Sequence, residues 1–276
     1  MTTGDGRPFR RNRPLLSCAV RPGYSMGHPV NGACVRLRNF LAFLLLSFSS
    51  SLPAQAQIPV DLQLVLAVDA SGSVNDTRFE LQKQGYAAAF RNPQVIKAIM
   101  SGGEQAIAVT MMQWTGPFMH VQVMPWTLLK DAASAKAFGD TIARSERKLY
   151  GGGTSISGAI DQSLVLFSRS PYASQRRTID ISGDGANTSG RSITHARDEA
   201  VRNGVNINGL PILALDPFLD RYYYNNVIGG PGAFMIPAAN YETFADAVVK
   251  KLVLEIAANE DRPAMKRWGA VLAGTQ

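Results

Sequence analysis

Five oxygen-bearing side chains follow short apolar or glycine-rich segments of this 276-residue sequence. The segment DASGS at residues 69–73 places a carboxylate and two hydroxyls at every second position, directly after the apolar run 62–68. Thr154 follows three consecutive glycines, and Asp184 follows a short predicted strand. In a doubly wound sheet, ligands bind where the carboxyl ends of the strands meet. We therefore expect one cluster of oxygens at that edge, made by Asp69, Ser71, Ser73, Thr154 and Asp184.

Two carboxylates and three hydroxyls are hard oxygen ligands, which suit Mg²⁺ or Mn²⁺. Mg²⁺ takes six oxygens in near-octahedral geometry, and it commonly keeps waters or accepts a ligand from a partner. The predicted set leaves coordination positions open and leaves the charge of the cation only partly neutralised. We therefore expect an unidentified protein to complete the shell with an aspartate or glutamate. The predicted site binds a partner and does not turn over a substrate, so we assign no catalytic residue.

Strand and helix patterns alternate through residues 57–258, which predicts one α/β domain. Strands are predicted at 62–68, 106–114, 118–124, 178–181, 205–215 and 234–236. Helices are predicted at 76–91, 131–144, 155–167, 193–203, 218–227 and 241–257. The link at 115–117 is too short for a crossover, so the strands that it joins should be antiparallel. The expected fold is α/β, with a doubly wound, mostly parallel sheet and one antiparallel edge strand.

The spacing of the polar residues resembles the metal-ion-dependent adhesion site (MIDAS) of von Willebrand factor A domains. The resemblance is carried by D-x-S-x-S at 69–73, Gly-Gly-Thr at 152–154 and Asp-Gly at 184–185. It covers about residues 60–258 and is greatest to a family of uncharacterised, exported bacterial single-domain A-type proteins. It implies a Rossmann-like fold. It also implies that the two serines and Thr154 contact a cation directly or through water, and that the two aspartates act through water.

One position departs from the family pattern, which often has Thr or Ser directly before the Asp-Gly pair. Here Gly183 stands between Ser182 and Asp184. Glycine adds backbone freedom, so Asp180 and Ser182 are alternative ligands to Asp184.

Ordinary structural roles are the alternative to metal binding for the same residues. Asp69 is a candidate helix N-cap, in competition with Ser73 and Asn75, and Thr154 is a candidate cap for the next helix. The three glycines suit a flexible hairpin tip. The run of three tyrosines at 222–224 fits either packing on the sheet or a recognition surface.

Other kinds of site are disfavoured by the sequence. No lysine follows the glycines as a phosphate-binding loop requires, and no histidine pair has metal-ligand spacing. A metal-dependent hydrolase of unknown substrate stays an alternative, although no general base is evident beyond the metal ligands. A scaffold that has lost the metal is a second alternative.

Most of the positive charge lies in the first 56 residues, which carry +6 of the formal net charge of +7. Basic residues, the apolar run 40–48 and the Ala-Gln-Ala site at 54–56 predict a signal peptide and leader over 1–56. An uncleaved anchor and a translation start at Met26 are the open alternatives. Both cysteines lie in this leader. We expect a periplasmic or secreted protein with no nucleic-acid partner and no stable membrane span, and a polar tail at 259–276.

Overall fold

The computed structural model describes residues 57–257. The leader predicted at 1–56 and the tail predicted at 259–276 lie outside these residues. Within the described range, no helix combines the length and the apolar character needed to cross a membrane.

The described residues form strands β1 Ile58–Pro59, β2 Leu62–Asp69, β3 Ile107–Trp114, β4 His120–Leu129, β5 Tyr172–Ala173, β6 Arg177–Gly183 and β7 Val205–Pro211. Five of these strands form the central sheet, in the order β4-β3-β2-β6-β7. The three pairings β2–β3, β2–β6 and β6–β7 are parallel, whereas β3 and β4 are antiparallel. The fold class and the antiparallel edge strand are therefore as the sequence predicted. Strands β1 and β5 form a separate two-stranded parallel pair.

Helices cover both faces of the sheet. They are α1 Asp76–Arg91, α2 Pro93–Ile99, α3 Ala132–Arg144, α4 Ile156–Ser168, α5 Ile193–Arg202, α6 Leu219–Tyr222 and α7 Phe244–Ala257. A π-helical segment, Tyr223–Val227, continues directly from α6.

The central strand β2 is fully buried because its two faces belong to two different hydrophobic cores. Leu64 and Leu66 pack in the core that also contains residues of α1 and α7. Val65 and Ala67 point to the other face, toward residues of α4 and α5. Alternation of side chains along a strand produces this division, and it explains why the run 62–68 has no polar side.

The structure corrects several predicted bounds. Residues 234–236 do not form a strand and make only an isolated bridge from Met235 to Gly209. Pro211 ends β7 and Pro237 follows the segment, and neither has an N–H group with which to extend a ladder. The sequence analysis missed α2, which begins with a proline at its first turn.

Candidate metal centre

Three loops meet at the carboxyl edge of the sheet. The loop after β2 is joined to the glycine turn by the Gly72 N–H, which donates to Gly152 O at 3.2 Å. The glycine turn is joined in turn to the loop after β6, because Thr188 N donates to Thr154 O at 2.8 Å. The predicted site residues therefore share one edge, as parallel strands require.

Four of the five predicted residues are linked by direct contacts. The hydroxyls of Ser71 and Ser73 lie 3.2 Å apart, and the Ser73 hydroxyl donates to Asp184 Oδ1 at 2.6 Å. The backbone N–H of Ser71 donates to Asp69 Oδ1 at 2.7 Å. The fifth residue, Thr154, is buried beside Gly185 of the Asp-Gly pair. A Cβ added at Gly185 would lie 3.6 Å from Thr154 Oγ1.

Burial strongly affects the carboxyl group of Asp69. Its side chain is fully buried, and desolvation raises its pKa from 3.8 to about 7, although bonding to Ser71 lowers it. Within residues 57–257, its Oδ2 atom has no hydrogen-bond partner. A buried carboxylate without a cation is costly, and a nearby positive charge would favour its ionised form.

Two residues that the sequence analysis missed hold Asp184. The Tyr241 hydroxyl donates to Asp184 Oδ2 at 2.8 Å, and Arg78 Nη1 lies 3.8 Å from the same oxygen. Arg78 also donates to the carbonyl of Ser73 at 2.7 Å. Arg78 lies five positions after Ser73 in the first turn of α1, which was a usable local signal. Tyr241 comes from a distant part of the chain, and nothing in the sequence connects it to Asp184.

The alternative structural roles go to neighbouring residues. Asn75 caps α1 by accepting from Arg78 N, so of the three candidate caps, Asp69, Ser73 and Asn75, the structure selects Asn75. Ser155 caps α4, so Thr154 is not that cap.

The alternative ligand Asp180 is bound elsewhere. Its Oδ1 atom lies 2.7 Å from Lys251 Nζ, and Asp180 is on the sheet face that α7 covers. Ser182 lies two residues further along β6 and therefore faces the same side.

Gly183 is needed for close packing and not for flexibility. It has no positive φ angle, and a Cβ placed on it would lie 2.8 Å from Asp69 Oδ2. The departure from the family pattern therefore lets the carboxyl group of Asp69 approach the end of β6.

The oxygens present fit a small divalent cation. Hydroxyls of Ser71 and Ser73 and carboxylates of Asp69 and Asp184 converge, and Thr154 borders them. Throughout the described part of the chain, no three His, Cys, Asp or Glu side chains gather as a metal site. The candidate centre therefore depends on hydroxyls as much as on carboxylates.

The model of the DUF1194 family, which is described as a protein of unknown function, matches residues 59–260. The chain belongs to this family. No curated protein matches it.

Solved structures with the same fold include a matrix protein of the mussel byssus and a bacterial pilus adhesin. Proximal thread matrix protein 1 of the mussel byssus aligns with a TM-score of 0.55 and 13% identity, over 73% of this chain and 49% of its own. A form of that protein with a zinc-occupied MIDAS motif gives 0.50 and 15%, over 72% and 46%. The pilus adhesin SpaC of Lactobacillus rhamnosus GG gives 0.51 and 14%, over 71% and 30%.

This chain spans about half the length of the mussel protein and less than a third of the adhesin. At these identities the likeness shows the fold alone. Together with the strand order, it confirms the von Willebrand factor A fold that the sequence resemblance implied.

Proposed function

We propose that this protein is an exported protein-binding module that captures an acidic group of a partner through a divalent cation. Asp69, Ser71, Ser73, Thr154 and Asp184 would hold the cation. The observation that carries this proposal is the continuous contact from Ser71 through Ser73 to Asp184, which brings together loops more than 100 residues apart in sequence.

Binding is favoured over turnover because no free general base lies at the site among residues 57–257. Arg78 and Tyr241 both contact Asp184, and the buried hydroxyl of Tyr223 keeps its proton because burial raises its pKa well above the ordinary value. A hydrolase would need a general base that is neither a metal ligand nor bonded to one.

Mg²⁺ or Mn²⁺ suits the cluster better than Zn²⁺. All five side chains offer oxygen, whereas zinc sites in proteins are rich in histidine nitrogen and cysteine sulfur. One similar structure holds zinc in its MIDAS motif, so zinc is a necessary comparison in any titration.

Exposed apolar side chains beside the cluster support a protein partner. We call Phe118, Met119 and Tyr150 the apolar rim; their exposed fractions are 92%, 44% and 65%. The turn that carries Phe118 is tied to the glycine turn, since Thr115 Oγ1 donates to Gly151 O at 2.6 Å. Exposed aromatic residues next to an open metal position suit a partner that offers apolar side chains around its carboxylate.

Calorimetric titration with Mg²⁺, Mn²⁺ and Zn²⁺ tests the metal site. We expect Mg²⁺ or Mn²⁺ to bind the wild-type protein and the control variant Ser168→Ala, which alters an exposed serine at the end of α4. Ser71→Ala should bind at least about tenfold more weakly, because it removes one ligand. Absence of binding by the wild type would instead support a scaffold without metal. Turnover of a substrate that is abolished in Ser71→Ala would instead support a hydrolase.

We also propose export to the periplasm or beyond the cell. N-terminal sequencing of the protein recovered from a periplasmic fraction should find Gln57 as the first residue, because the predicted cleavage site ends at Ala56. An intact leader on membrane-bound protein would contradict this proposal and favour an anchor.

A further inference from the structure

Two buried polar atoms without a hydrogen-bond partner lie against the same glycine. They are Asp69 Oδ2 and the Tyr223 hydroxyl, and neither has a partner among residues 57–257. Both side chains are fully buried. A Cβ built on Gly183 would lie 2.8 Å from Asp69 Oδ2 and 3.1 Å from the Tyr223 hydroxyl. The two atoms therefore border one small space that only a glycine leaves open.

A second glycine admits the ring of Tyr223. A Cβ on Gly209 would lie 2.7 Å from Tyr223 Cδ1, which is closer than Cβ atoms in proteins approach other carbons. Gly209 on β7 pairs with Ile181 on β6, two residues before Gly183. Residues two apart on a strand share a face, so both glycines lie under the same tyrosine.

The backbone around Tyr223 is also unusual. Tyr223 begins the π-helical segment Tyr223–Val227, directly after α6. π-Helical turns are rare and occur frequently at functional sites. The neighbouring tyrosines have other surroundings: the Tyr222 hydroxyl accepts from Asn187 N at 3.1 Å, and Tyr224 is 53% exposed. Of the three consecutive tyrosines, Tyr223 is the one whose hydroxyl lies against Gly183, next to Asp69.

We propose that Tyr223 is a positioning residue of the candidate metal centre, and that its hydroxyl donates a hydrogen bond to Asp69 Oδ2 in the metal-loaded protein. The inference rests on the proposed function, and it adds a residue that neither the sequence resemblance nor the ligand set contains. It also explains why both positions are glycine, because a side chain at Gly183 or Gly209 would push the Tyr223 hydroxyl away from the Asp69 carboxylate.

The chemistry of the pair supports this assignment. Burial, and after it the charge of Asp69, raises the pKa of Tyr223 well above its ordinary value, so the hydroxyl keeps its proton and can donate. Hydrogen bonds from a neutral donor to an ionised carboxylate are short and strong. In metal sites, such outer partners fix the orientation of the ligand, and their loss commonly costs 10–100-fold in metal affinity.

The competing explanation is that the Tyr223 ring only packs against the sheet. In that case a cation or a water bound to it contacts Asp69 Oδ2, and the Tyr223 hydroxyl makes no hydrogen bond. Tyr223→Phe separates the two roles because it keeps the ring and removes only the hydroxyl. The matched control is Tyr224→Phe, one position away on the exposed side.

The first experiment measures Mg²⁺ and Mn²⁺ affinity by calorimetry and the unfolding of the metal-free protein in urea. We expect Tyr223→Phe to weaken metal binding by about tenfold or more, with metal-free unfolding close to that of the wild type. Tyr224→Phe should match the wild type in both. Equal metal affinity in wild type and Tyr223→Phe would overturn the inference while leaving the proposed function intact. No metal binding by the wild type would overturn both.

The second experiment records the ultraviolet difference spectrum on addition of Mg²⁺. A tyrosine that begins to donate to a carboxylate shifts its absorption, which a packing role would not cause. We expect this tyrosine signal in the wild type and in Tyr224→Phe, and its loss in Tyr223→Phe. A signal that persists in a Tyr223→Phe protein with bound metal would assign it to another tyrosine and contradict the proposal.

Discussion

Two fully buried aspartates, Asp69 and Asp180, lie on the neighbouring strands β2 and β6 of the same sheet, but the groups around them differ. Asp180, on β6, lies 2.7 Å from the ammonium group of Lys251. Lys251 also contacts Glu255, which accepts from Asn208 Nδ2 at 3.0 Å. Asp69, at the end of β2, accepts from a backbone N–H and has no ion pair among the residues described.

The difference shows how a buried carboxylate becomes either structural or functional. Asp180 receives its counter-charge from α7, so the interaction fixes that helix on the sheet. Asp69 lies beside hydroxyls and a second carboxylate and has no ion pair among the described residues, which suits the proposed cation. Removal of one partner from a buried ion pair is strongly destabilising, whereas an uncompensated carboxylate favours cation binding.

Lys251→Met should have the largest effect on stability. It would leave Asp180 and Glu255 buried without a cation, and we expect a loss of about 3–5 kcal/mol in the free energy of unfolding. Urea unfolding measures this change, with Lys250→Met as the control because Lys250 is exposed. If Lys251→Met loses no more unfolding free energy than the control, then the charge of Asp180 is balanced no better than that of Asp69.

The pH dependence of the metal-free protein should reveal Asp69. Burial raises the pKa of Asp69 to about 7 and also raises the pKa of Glu255 to about 7. The folded state then holds more protons than the unfolded state between about pH 4 and pH 7. Stability should therefore fall as the pH rises through this window, by several kcal/mol for the two groups together, and change little above it.

Asp69→Asn tests which residue causes that slope. The variant should flatten part of the pH profile, and the part that remains belongs to Glu255 and Asp180, since burial also raises the pKa of Asp180. Added Mg²⁺ should stabilise the wild type more at pH 8 than at pH 5, because protons compete for the carboxylate. Identical profiles for wild type and variant would contradict the assignment to Asp69.

Tyr241→Phe should have an intermediate effect, both on stability and on metal affinity. It removes the donor to Asp184 Oδ2, and the loss of a hydrogen bond to a buried charged group costs about 1.5–3 kcal/mol. Metal affinity should fall with it, because Asp184 loses its orientation. Thermal unfolding and calorimetry measure the two effects. Unchanged metal affinity would show that Tyr241 does not orient Asp184 for the metal.

Phe118→Ser should have the smallest effect on the molecule itself. Phe118 is 92% exposed, so stability should change by no more than about 0.5 kcal/mol and metal affinity should stay the same. Capture of a partner from periplasmic extract in Mg²⁺ should weaken, and EDTA should abolish it in both proteins. Full capture by the variant would show that the apolar rim does not contribute.

Sequence patterns were sufficient where neighbouring residues decide the structure. The apolar run before Asp69 predicted β2, and the predicted helix 76–91 has the bounds observed for α1. The short turn after Trp114 predicted the antiparallel pair. Each of these features depends on periodicity or on a short link, which a sequence states directly.

The sequence by itself identified the five oxygen-bearing residues and placed their loops at one edge of the sheet. It could do so because the carboxyl ends of parallel strands meet at the same edge. Only the tertiary structure decided which of the two buried aspartates has a positively charged side chain beside it. Asp69 and Asp180 both occur in short apolar strands, and their difference depends on Lys251, which lies 71 positions after Asp180. The contact of Tyr241 with Asp184 is likewise long-range. Packing of helices on the sheet, and not local pattern, brings such groups together.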